Sequence, residues 1–325
     1  MKSNIKAIIS LIVVAVLLLS GFGFYEIHGH KQEKGQVITV SSGDNLSYKT
    51  TRIVSLDPAA TANLYAIGAY SYLVGDSGYG SYPQNSTLPV VGSYPSMNLE
   101  EIFNLSPQAV ISFDSGYSQG QITKLLDAGI NYVFLNAGAG SGITGIEQQN
   151  TLLGEITGKE KNASMLNIWM NQSLGAISNA TGKINSSAEL SAFYYLSSSG
   201  GIYTTGNGTF FNDFFDYAHL RNVALNLTGG FVPISPEVLA NNSPQVIFLD
   251  QYVNKSALSV YPFNNSTAVQ NGKVFVLPNE SIFTEPNFRV IYAIAWMVQE
   301  AYGINVKLPA FPLGIQDNPD PLITG

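Results

Sequence analysis

Apolar and polar positions along the chain alternate in a pattern that predicts short strands separated by short helices. Strands are predicted at residues 52–56, 72–76, 88–92, 109–114 and 131–136, with helices at 58–69 and 121–129. Asp57 is predicted to cap the first of these helices, and Pro58 fits its first position. Strands that alternate with helices in this way form parallel sheets, so the pattern indicates an α/β fold.

One stretch of this pattern occurs twice. Residues 98–114 and residues 235–250 each begin with a helix cap, continue as a short amphipathic helix, and enter an apolar strand after Ser-Pro. Ungapped alignment pairs Gly92 with Gly229, Glu100 with Glu237, Asn104 with Asn241, Ser106 with Ser243, Pro107 with Pro244, and Gln108 with Gln245. A repeat at so long an offset indicates two similar lobes rather than a solenoid, whose repeats are much shorter.

A long helical stretch separates the two predicted lobes. It runs from about residue 146 to 180, and Gly158 is predicted to divide it. Its second part carries Met165, Ile168, Trp169, Leu174 and Ile177, and predicts a helix that crosses between the lobes. The predicted organisation is an anchor or signal at 1–25, a stalk at 26–51, an N-terminal lobe at 52–145, a linking helical region at 146–182, a C-terminal lobe at 183–305, and a proline-rich tail at 306–325 without a core pattern.

The N-terminus carries the most apolar run of the chain. Residues 7–25 form this run of 19 residues, close to the roughly 20 that span a bilayer, and two lysines precede it. A cleaved signal peptide has a shorter apolar core and a small-residue cleavage site, for which only Ser20-Gly21 could serve. The length therefore favours an uncleaved transmembrane anchor, with the rest of the chain outside the cell.

Composition supports an extracellular binding protein. Charged residues make up 11% of the chain, against roughly 25% in an average soluble protein. Fourteen Asn-x-Ser/Thr sequons favour a glycosylated extracellular protein, and a surface with so little charge would suit an acidic medium. The net charge of −7 argues against nucleic acid as a partner. With no Cys, the chain has no disulfide, thiolate metal site or lipid-modified cysteine.

The sequence contains no pattern typical of an enzyme. There are three histidines, two in the stalk and His219 in the second lobe, and their spacing does not fit a metal site. The sequence lacks a G-x-S-x-G elbow, a G-x-G-x-x-G motif after a strand, and a P-loop. We therefore expect a binding protein without catalytic residues, metal site or cofactor.

Aromatic and acidic residues follow the predicted strands at their carboxyl ends, where open α/β lobes bind ligands. They are Tyr79, Tyr82, Tyr94, Asp114, Tyr117, Phe231, Asp250, Tyr252, Phe283 and Glu285. A cleft lined in this way suits a large, flat or greasy ligand held by stacking and a few polar contacts. The alternative is that many of these tyrosines simply cover a surface of low charge.

Six segments of the chain occur in an order typical of one protein family. They are RIVSLDPAATANLYAIGA, GYGSYP, LPVVGSYPSMNLEEIFNLSPQAVI, TTGNGTFFNDFFDYA, PISPEVLANNSPQVIFLD and NGKVFVLP. Together they resemble the cobalamin- and iron-siderophore-binding proteins of ATP-binding-cassette importers over residues 52–303. The resemblance implies two α/β lobes joined by one long rigid helix, a ligand held in the cleft between them, and a permease and ATPase as partners of a monomeric protein.

The resemblance also implies roles for particular residues. Glu100 and Glu237 fall where the family's glutamates dock onto permease arginines. Positions that would contact the ligand are Tyr79, Tyr82 and Tyr94 on the first lobe, and Thr205 and the segment from Phe283 to Arg289 on the second. The chain departs from the family at Ala218-His219, which replaces a Gly-Gly, at Gln108 and Gln245, which replace Asp, and in its N-terminal anchor.

Charge narrows the choice of ligand. Strongly anionic iron catecholates would require several Arg or Lys in the cleft, whereas this chain has three Arg in all, of which only Arg289 lies in a candidate cleft segment. A corrinoid, a hydroxamate-type iron complex or haem fits better, and we favour a corrinoid. Two alternatives remain: a structural or adhesive surface glycoprotein on the same lobes, and an enzyme on a related metallocluster fold, against which the scarcity of Cys and His argues.

Overall fold

The computed structural model of the protein describes residues 34–39, 49–80, 83, 86–113, 117–136, 141–197 and 200–312. In these residues the apolar runs form two parallel sheets, one in each lobe. The predicted anchor at 1–25 lies outside the described residues, as do much of the predicted stalk and the end of the tail. None of the described helices is both long enough and apolar enough to cross a bilayer.

The first lobe is built around a five-stranded sheet. Its elements are β1 (Val37–Thr39), β2 (Ile53–Ser55), α1 (Pro58–Ala66), β3 (Leu73–Asp76), β4 (Gly92–Ser93), β5 (Ser96–Met97), α2 (Leu99–Leu105), β6 (Ala109–Ser112), α3 (Gln119–Asp127) and β7 (Asn131–Phe134). The strand order is β1-β7-β6-β2-β3, and every neighbouring pair is parallel. Strands β4 and β5 form a separate antiparallel hairpin.

Two helices follow the first lobe, α4 (Gly142–Thr157) and α5 (Glu160–Thr181). They are divided at Gly158, as predicted, because this glycine adopts φ +68° and ends α4 in the left-handed conformation. Trp169 is buried on α5, whereas the adjacent Ile168 is 53% exposed. The largest cluster of buried apolar side chains runs from the first lobe through both helices into the second lobe. The lobes are therefore packed onto a common helical core.

The second lobe repeats the parallel design on a smaller sheet. Its elements are β8 (Leu190–Tyr195), β9 (Tyr203–Thr205), α6 (Phe210–Tyr217), β10 (Leu220–Asn222), β11 (Phe231–Pro233), α7 (Pro236–Asn242), β12 (Val246–Leu249), α8 (Thr267–Gln270), β13 (Val274–Val276), α9 (Ser281–Thr284) and α10 (Val290–Tyr302). The strand order is β10-β8-β12-β13, again with every pair parallel. Strands β9 and β11 pair antiparallel beside it.

The internal repeat corresponds to α2 with β6 in the first lobe and α7 with β12 in the second. Both helices are capped by a side-chain oxygen at the N-terminus, and both end at a serine in the left-handed conformation, Ser106 (φ 47°) and Ser243 (φ 37°). The two glutamines that depart from the family pattern also have equivalent contacts. Gln108 Oε1 accepts a hydrogen bond from Thr51 N at 2.9 Å, and Gln245 Oε1 accepts one from Ser191 N at 3.0 Å. Each glutamine thus fixes the chain that enters the neighbouring strand.

Two of the predicted boundaries require correction. Residues assigned to the stalk include β1, which pairs with β7 as an edge strand of the first sheet, because its Val-Ile-Thr sequence favours a strand. Val306, Leu308 and Phe311 of the predicted tail pack against the core. Trp169 Nε1 donates to the carbonyl of Pro309 at 3.1 Å, and the rings of Trp169 and Phe311 lie 4.9 Å apart. The prolines prevent a helix here, but they do not prevent burial of the apolar side chains between them.

A carboxylate of the second lobe caps the first of the two central helices. The N-cap residue of α4, Ser141, makes no side-chain capping bond. Instead, Asp213 Oδ2 on α6 accepts a hydrogen bond from Ile143 N at 2.7 Å. Gly142, at φ +57°, permits this approach, since a Cβ there would overlap the Asp213 carboxylate.

We expect Asp213→Ala to lower the free energy of unfolding by about 1–2 kcal/mol, because the N-terminus of α4 loses its cap. Urea unfolding monitored by circular dichroism measures this change. The matched control is Asp216→Ala on the same helix. Its carboxylate is exposed and accepts one hydrogen bond, from Asn212 Nδ2 at 3.2 Å, so we expect a change within about 0.5 kcal/mol. Equal losses in the two variants would contradict the capping role.

Candidate functional site

A cavity of about 720 Å³ lies between the lobes. Its aromatic lining comes from both of them: Tyr79, Tyr94, Phe113 and Phe134 from the first lobe, and Phe210 and Phe231 from the second. The first-lobe residues lie at or just after the carboxyl ends of β3, β6 and β7, or in the β4–β5 hairpin. This is the edge at which parallel sheets bind ligands, and the volume is in the range of sites for small organic molecules.

Two of these aromatics are equivalent in the repeat. Tyr94 lies in the turn between β4 and β5, and Phe231 begins β11. They are 51% and 58% exposed, respectively, because both face the open cleft. Tyr94 is supported from behind by Phe113 and Tyr117, whose ring centroids lie 6.2 and 6.1 Å away. Each lobe thus contributes one projecting ring to opposite sides of the cavity.

Two carboxyl groups, one from each lobe, add acidic character to this largely apolar cavity. Asp57 is buried at the N-terminus of α1, where its Oδ1 accepts from Ala59 N at 2.8 Å. Burial raises the pKa of Asp57 to about 6, although hydrogen bonds from Ala60 and Ala59 oppose the shift. Burial also raises the pKa of Glu285 to about 8; Arg289 opposes this shift, whereas Asp57 and Glu280 add to it.

Because the pKa values of Asp57 and Glu285 are raised, we expect the folded protein to be more stable in acid than in base. Both have a folded-state pKa above the ordinary value, so the folded protein binds more protons than the unfolded chain between about pH 4 and pH 8. Their contribution to stability is complete at low pH and is lost as the pH rises through about 6 and then 8. Burial shifts the pKa of Glu147, Asp216, Glu280 and Glu300 in the same direction.

We therefore expect the Tm to be about 5 °C higher at pH 5 than at pH 9, as measured by differential scanning calorimetry. Glu285→Gln should flatten this slope, because glutamine keeps the shape of the side chain but does not ionise. The slope should persist in high salt, since its cause is burial rather than attraction between exposed charges. A Tm that rises with pH over this range would contradict the prediction.

Among the described residues that line the cavity, there is no Lys, Arg or His. Arg289, the one arginine that sequence analysis assigned to the cleft, is 5% exposed at the start of α10, and its backbone N donates to Asn287 Oδ1 at 2.9 Å. We therefore correct its assignment as a cavity residue. Nor do the described residues contain a group of three or more His, Asp or Glu that could hold a metal ion.

Of the other predicted ligand-binding residues, four line the cavity: Tyr79, Tyr94, Phe231 and Glu285. Three are buried in the cores and do not line it. Tyr117 packs on Tyr94, Thr205 pairs with Phe231 across the antiparallel strands β9 and β11, and Phe283 packs on Phe211 and Trp296. Tyr252 is 77% exposed and lies outside the cavity. Tyr82 and Asp114 lie outside the described residues.

Several residues that line the cavity were not predicted from the sequence. Phe113 and Phe134 lie in segments that were assigned wholly to strands, and Asp57 was considered only as a helix cap. Thr209 precedes α6, and its buried hydroxyl has no hydrogen-bond partner within the described chain. The nearby Gly208 and Gly230 bring bare backbone to the cavity surface. Phe113 could have been found, because it directly precedes the predicted Asp114.

The two glutamates of the repeat are exposed on the first turns of α2 and α7. Each follows a projecting aromatic by the same spacing: Tyr94 precedes Glu100, and Phe231 precedes Glu237, by six residues. Each helix is followed directly by a strand, α2 by β6 and α7 by β12, so its C-terminus leads to the N-terminal end of that strand. The N-terminus of each helix therefore lies toward the C-terminal end of the strand, which is the cleft side of the lobe. Each lobe therefore presents one acid near the cleft.

Comparison with known proteins gives a consistent result. The family model described as "Periplasmic binding protein" matches residues 53–281. An uncharacterized ABC transporter substrate-binding lipoprotein of Bacillus subtilis, YvrC, is 26% identical over 303 residues, which cover 90% of this chain and 95% of that protein. A cobalamin-binding protein of Halobacterium salinarum is 28% identical over 273 residues, covering 80% of this chain and 72% of that protein.

Solved structures agree on the fold. The periplasmic vitamin B12-binding protein BtuF of Vibrio cholerae matches with a TM-score of 0.65 and 23% identity over 78% of this chain and 97% of its own. The periplasmic heme-binding protein HutB of the same organism matches with a TM-score of 0.70 and 20% identity over 77% and 98%. At these identities the likeness establishes the two-lobed fold alone.

Proposed function

The chain belongs to the periplasmic binding protein family, and on this premise we propose that it captures a corrinoid outside the cell and delivers it to an ATP-binding-cassette importer. The observation that carries the proposal is the cavity between the lobes, with aromatic walls and no cationic lining residue among those described. Aromatic faces bind a flat, largely apolar macrocycle by stacking and by displacing water.

The charge of the cavity favours a corrinoid over the other ligands of similar shape. Haem carries two carboxylates, and catecholate iron complexes carry several negative charges. Burying either ligand in the cavity would require cationic side chains to pair with these charges. The cavity instead contains Asp57 and Glu285, which carry negative rather than positive charge when ionised. A corrinoid bears neutral amides at its periphery, and these can donate hydrogen bonds to carboxyl oxygens. Ferric hydroxamates remain the second candidate, because they also lack a strong negative charge.

Calorimetric titration tests the ligand. We expect cyanocobalamin to bind the purified chain at least tenfold more tightly than haemin, with a ferric trihydroxamate as the second comparison. Calorimetry is preferable to tryptophan fluorescence, since neither Trp169 nor Trp296 lines the cavity. Tighter binding of haemin or of the hydroxamate would replace the corrinoid. Absence of binding by all three would favour the structural or adhesive glycoprotein.

Delivery is proposed to use Glu100 and Glu237. Their exposure, their equivalence in the repeat and their position near the cleft support a role as the acids that contact arginines of the permease.

We also propose that the N-terminal segment tethers the protein to the membrane, on the basis of the sequence. The relative in Bacillus subtilis is named a lipoprotein, whereas this chain contains no Cys, and residues 7–25 supply an apolar run of bilayer length. Resistance of the protein to carbonate extraction from membranes would support this tether, and release would contradict it.

N-glycosylation is also proposed, on the basis of the sequons in the sequence. The sequons differ, however, in whether the asparagine side chain has a hydrogen bond within the fold. Several asparagines have hydrogen bonds within the fold: Asn162 Nδ2 donates to Ile67 O, Asn171 Nδ2 to Glu147 Oε1, and Asn254 Oδ1 and Asn279 Oδ1 accept from nearby residues. These residues have a structural reason to be asparagine. The total number of sequons is therefore larger than the number of glycans that we expect the chain to carry.

A further inference from the structure

The two carboxyl groups of the cavity lie together on one part of its wall. Asp57 belongs to the first lobe and Glu285 to the second, and both line the cavity. Gly80 lies close to both of them: a Cβ on Gly80 would be 2.9 Å from Pro58 Cβ and 3.7 Å from Glu285 Oε1. Because Pro58 directly follows Asp57 in the chain, the two carboxyls are neighbours across the boundary between the lobes.

Contacts within the fold hold both carboxyls at this place. Glu285 Oε2 accepts a hydrogen bond from Asn287 Nδ2 at 3.2 Å. The segment that carries Glu285 is fixed to the first lobe, because Phe288 N donates to Asn63 Oδ1 on α1 at 3.1 Å. Asp57 is the N-cap of the same helix and accepts a hydrogen bond from its first turn. The two acids are therefore fixed features of the cavity wall.

Other groups balance only part of the charge of this pair. Arg289, at the start of α10, lowers the pKa of Glu285, and the backbone amides of α1 lower that of Asp57. Acting against Arg289 are Asp57 itself and Glu280, which both raise the pKa of Glu285. No Lys, Arg or His lines the described part of the cavity wall. When Asp57 and Glu285 are both ionised, the wall has a net negative charge.

The size of the cavity brings the charge of a bound ligand within range of both carboxyls. A sphere with the volume of the cavity, about 720 Å³, has a radius of about 6 Å, which is shorter than the Debye length of about 8 Å at physiological salt. A ligand that fills the cavity also displaces water, so the interaction is screened less than at an exposed surface. The wall therefore attracts a positively charged ligand.

We propose that Asp57 and Glu285 make the cavity selective for a corrinoid with a net positive charge. This inference rests on the proposed function and narrows the ligand within the corrinoids. The charge of a cobalt(III) corrinoid depends on its axial ligand: aquocobalamin is a cation, whereas cyanocobalamin, with the same ring and side chains, is neutral. A bound cation favours the ionised form of a nearby carboxyl, so binding of aquocobalamin releases protons.

Calorimetric titration compares the two forms at pH 7, where aquocobalamin keeps its positive charge, in a buffer that does not coordinate cobalt. We expect the wild-type protein to bind aquocobalamin roughly tenfold or more tightly than cyanocobalamin. The double variant Asp57→Asn with Glu285→Gln should bind the two forms with affinities within about twofold of each other, because its amides keep the shape of the side chains but do not ionise. Equal affinities in the wild type would overturn the inference.

The matched control is Glu300→Gln. Burial raises the pKa of Glu300 as well, but this residue lies on α10 and does not line the cavity, so the wild-type ratio of affinities should be kept. The absorption spectrum of bound aquocobalamin is a second control, because exchange of the axial water for a protein ligand would shift it. We expect no shift. A shifted spectrum, with the preference retained in the double variant, would assign the preference to coordination and contradict the role of charge.

Proton release distinguishes charge from shape as the cause of the preference. Titrations at pH 7 in two buffers with different heats of ionisation measure the protons exchanged on binding. Because the pKa of Glu285 is raised to about 8, we expect aquocobalamin to release roughly half a proton from the wild-type protein and close to none from the double variant. Binding without proton release in the wild type would contradict the inference. If neither form binds, the proposed function fails, whereas equal binding of both forms overturns the charge preference alone.

Discussion

Glu100→Ala combined with Glu237→Ala is expected to abolish uptake through the partner permease while leaving ligand affinity unchanged. Both side chains are exposed on the first turns of α2 and α7, and neither lines the cavity. Removing one partner of a hydrogen-bonded charge pair from an interface costs about 2–5 kcal/mol. Two such losses weaken docking by roughly a thousandfold or more, since each 1.4 kcal/mol is a factor of ten.

Uptake of labelled cyanocobalamin and calorimetric affinity, measured on the same variants, separate docking from capture. The control is Glu101→Ala. Glu101 is adjacent to Glu100, but its equivalent in the second lobe is Val238, so it does not belong to the repeated pair. We expect a small effect from this variant. Loss of ligand binding in the double variant, or normal uptake, would leave the two glutamates as helix-dipole carboxylates, worth about 0.3–1 kcal/mol each.

Tyr94→Ala combined with Phe231→Ala is expected to weaken ligand binding about a thousandfold. These rings project from the two lobes into one cavity, and each is more than half exposed without ligand. Truncation of a central aromatic contact costs about 2 kcal/mol or more, so two of them cost about 4 kcal/mol. The change is measured by calorimetric titration with cyanocobalamin, after circular dichroism has established that the fold is intact.

The control for this prediction is Tyr252→Ala, because Tyr252 is 77% exposed and lies outside the cavity. Its affinity should match the wild type. Tyr94→Phe distinguishes the two uses of the Tyr94 side chain. Retained affinity would mean that the ring face binds the ligand, whereas a large loss would mean that the hydroxyl contacts it directly and would favour an iron-containing ligand. An unchanged affinity in the double alanine variant would remove both residues from the site.

The repeat was predictable because its signals are local and redundant. A cap residue, an amphipathic turn, Ser-Pro and an apolar strand appear in the same order twice, and the described structure contains α2 with β6 and α7 with β12 at those positions. The predicted stalk at 26–51 was expected to contain a little strand, but the pairing of β1 with the first sheet was not predicted, because only three residues pair and they lie beyond a polar segment. A strand this short has no periodicity to recognise; the sheet that it joins determines its structure.

The cavity was predictable only in part, for a geometric reason. Sequence places a residue near the end of a strand, but it does not fix on which side of the chain the side chain lies. Thr205 and Phe283 lie close in sequence to cavity residues and yet do not line the cavity, whereas Thr209 and Glu285 do. Tyr94 and Phe231 both line the cavity and occupy equivalent positions of the repeat, although Tyr94 lies in a turn and Phe231 begins a strand.

The packing of the tail was unpredictable from its composition. Proline-rich sequences are read as linkers because they cannot form a helix or join a sheet. Contacts with distant residues decide otherwise here: Phe311 packs on Phe288 at 5.4 Å and on Trp169, which are far away in sequence. Only a folded structure reveals such pairs.

The continuous helix α5 restricts how the lobes of this molecule can move relative to each other. Helix α5 is continuous over 22 residues, a length of about 33 Å, and the tail is fastened to its middle at Trp169. A helix without a proline or a break curves gradually over its length, in contrast to a loop that rotates about a few bonds. We therefore expect any change in the angle between the lobes to be spread along α5 rather than confined to one hinge.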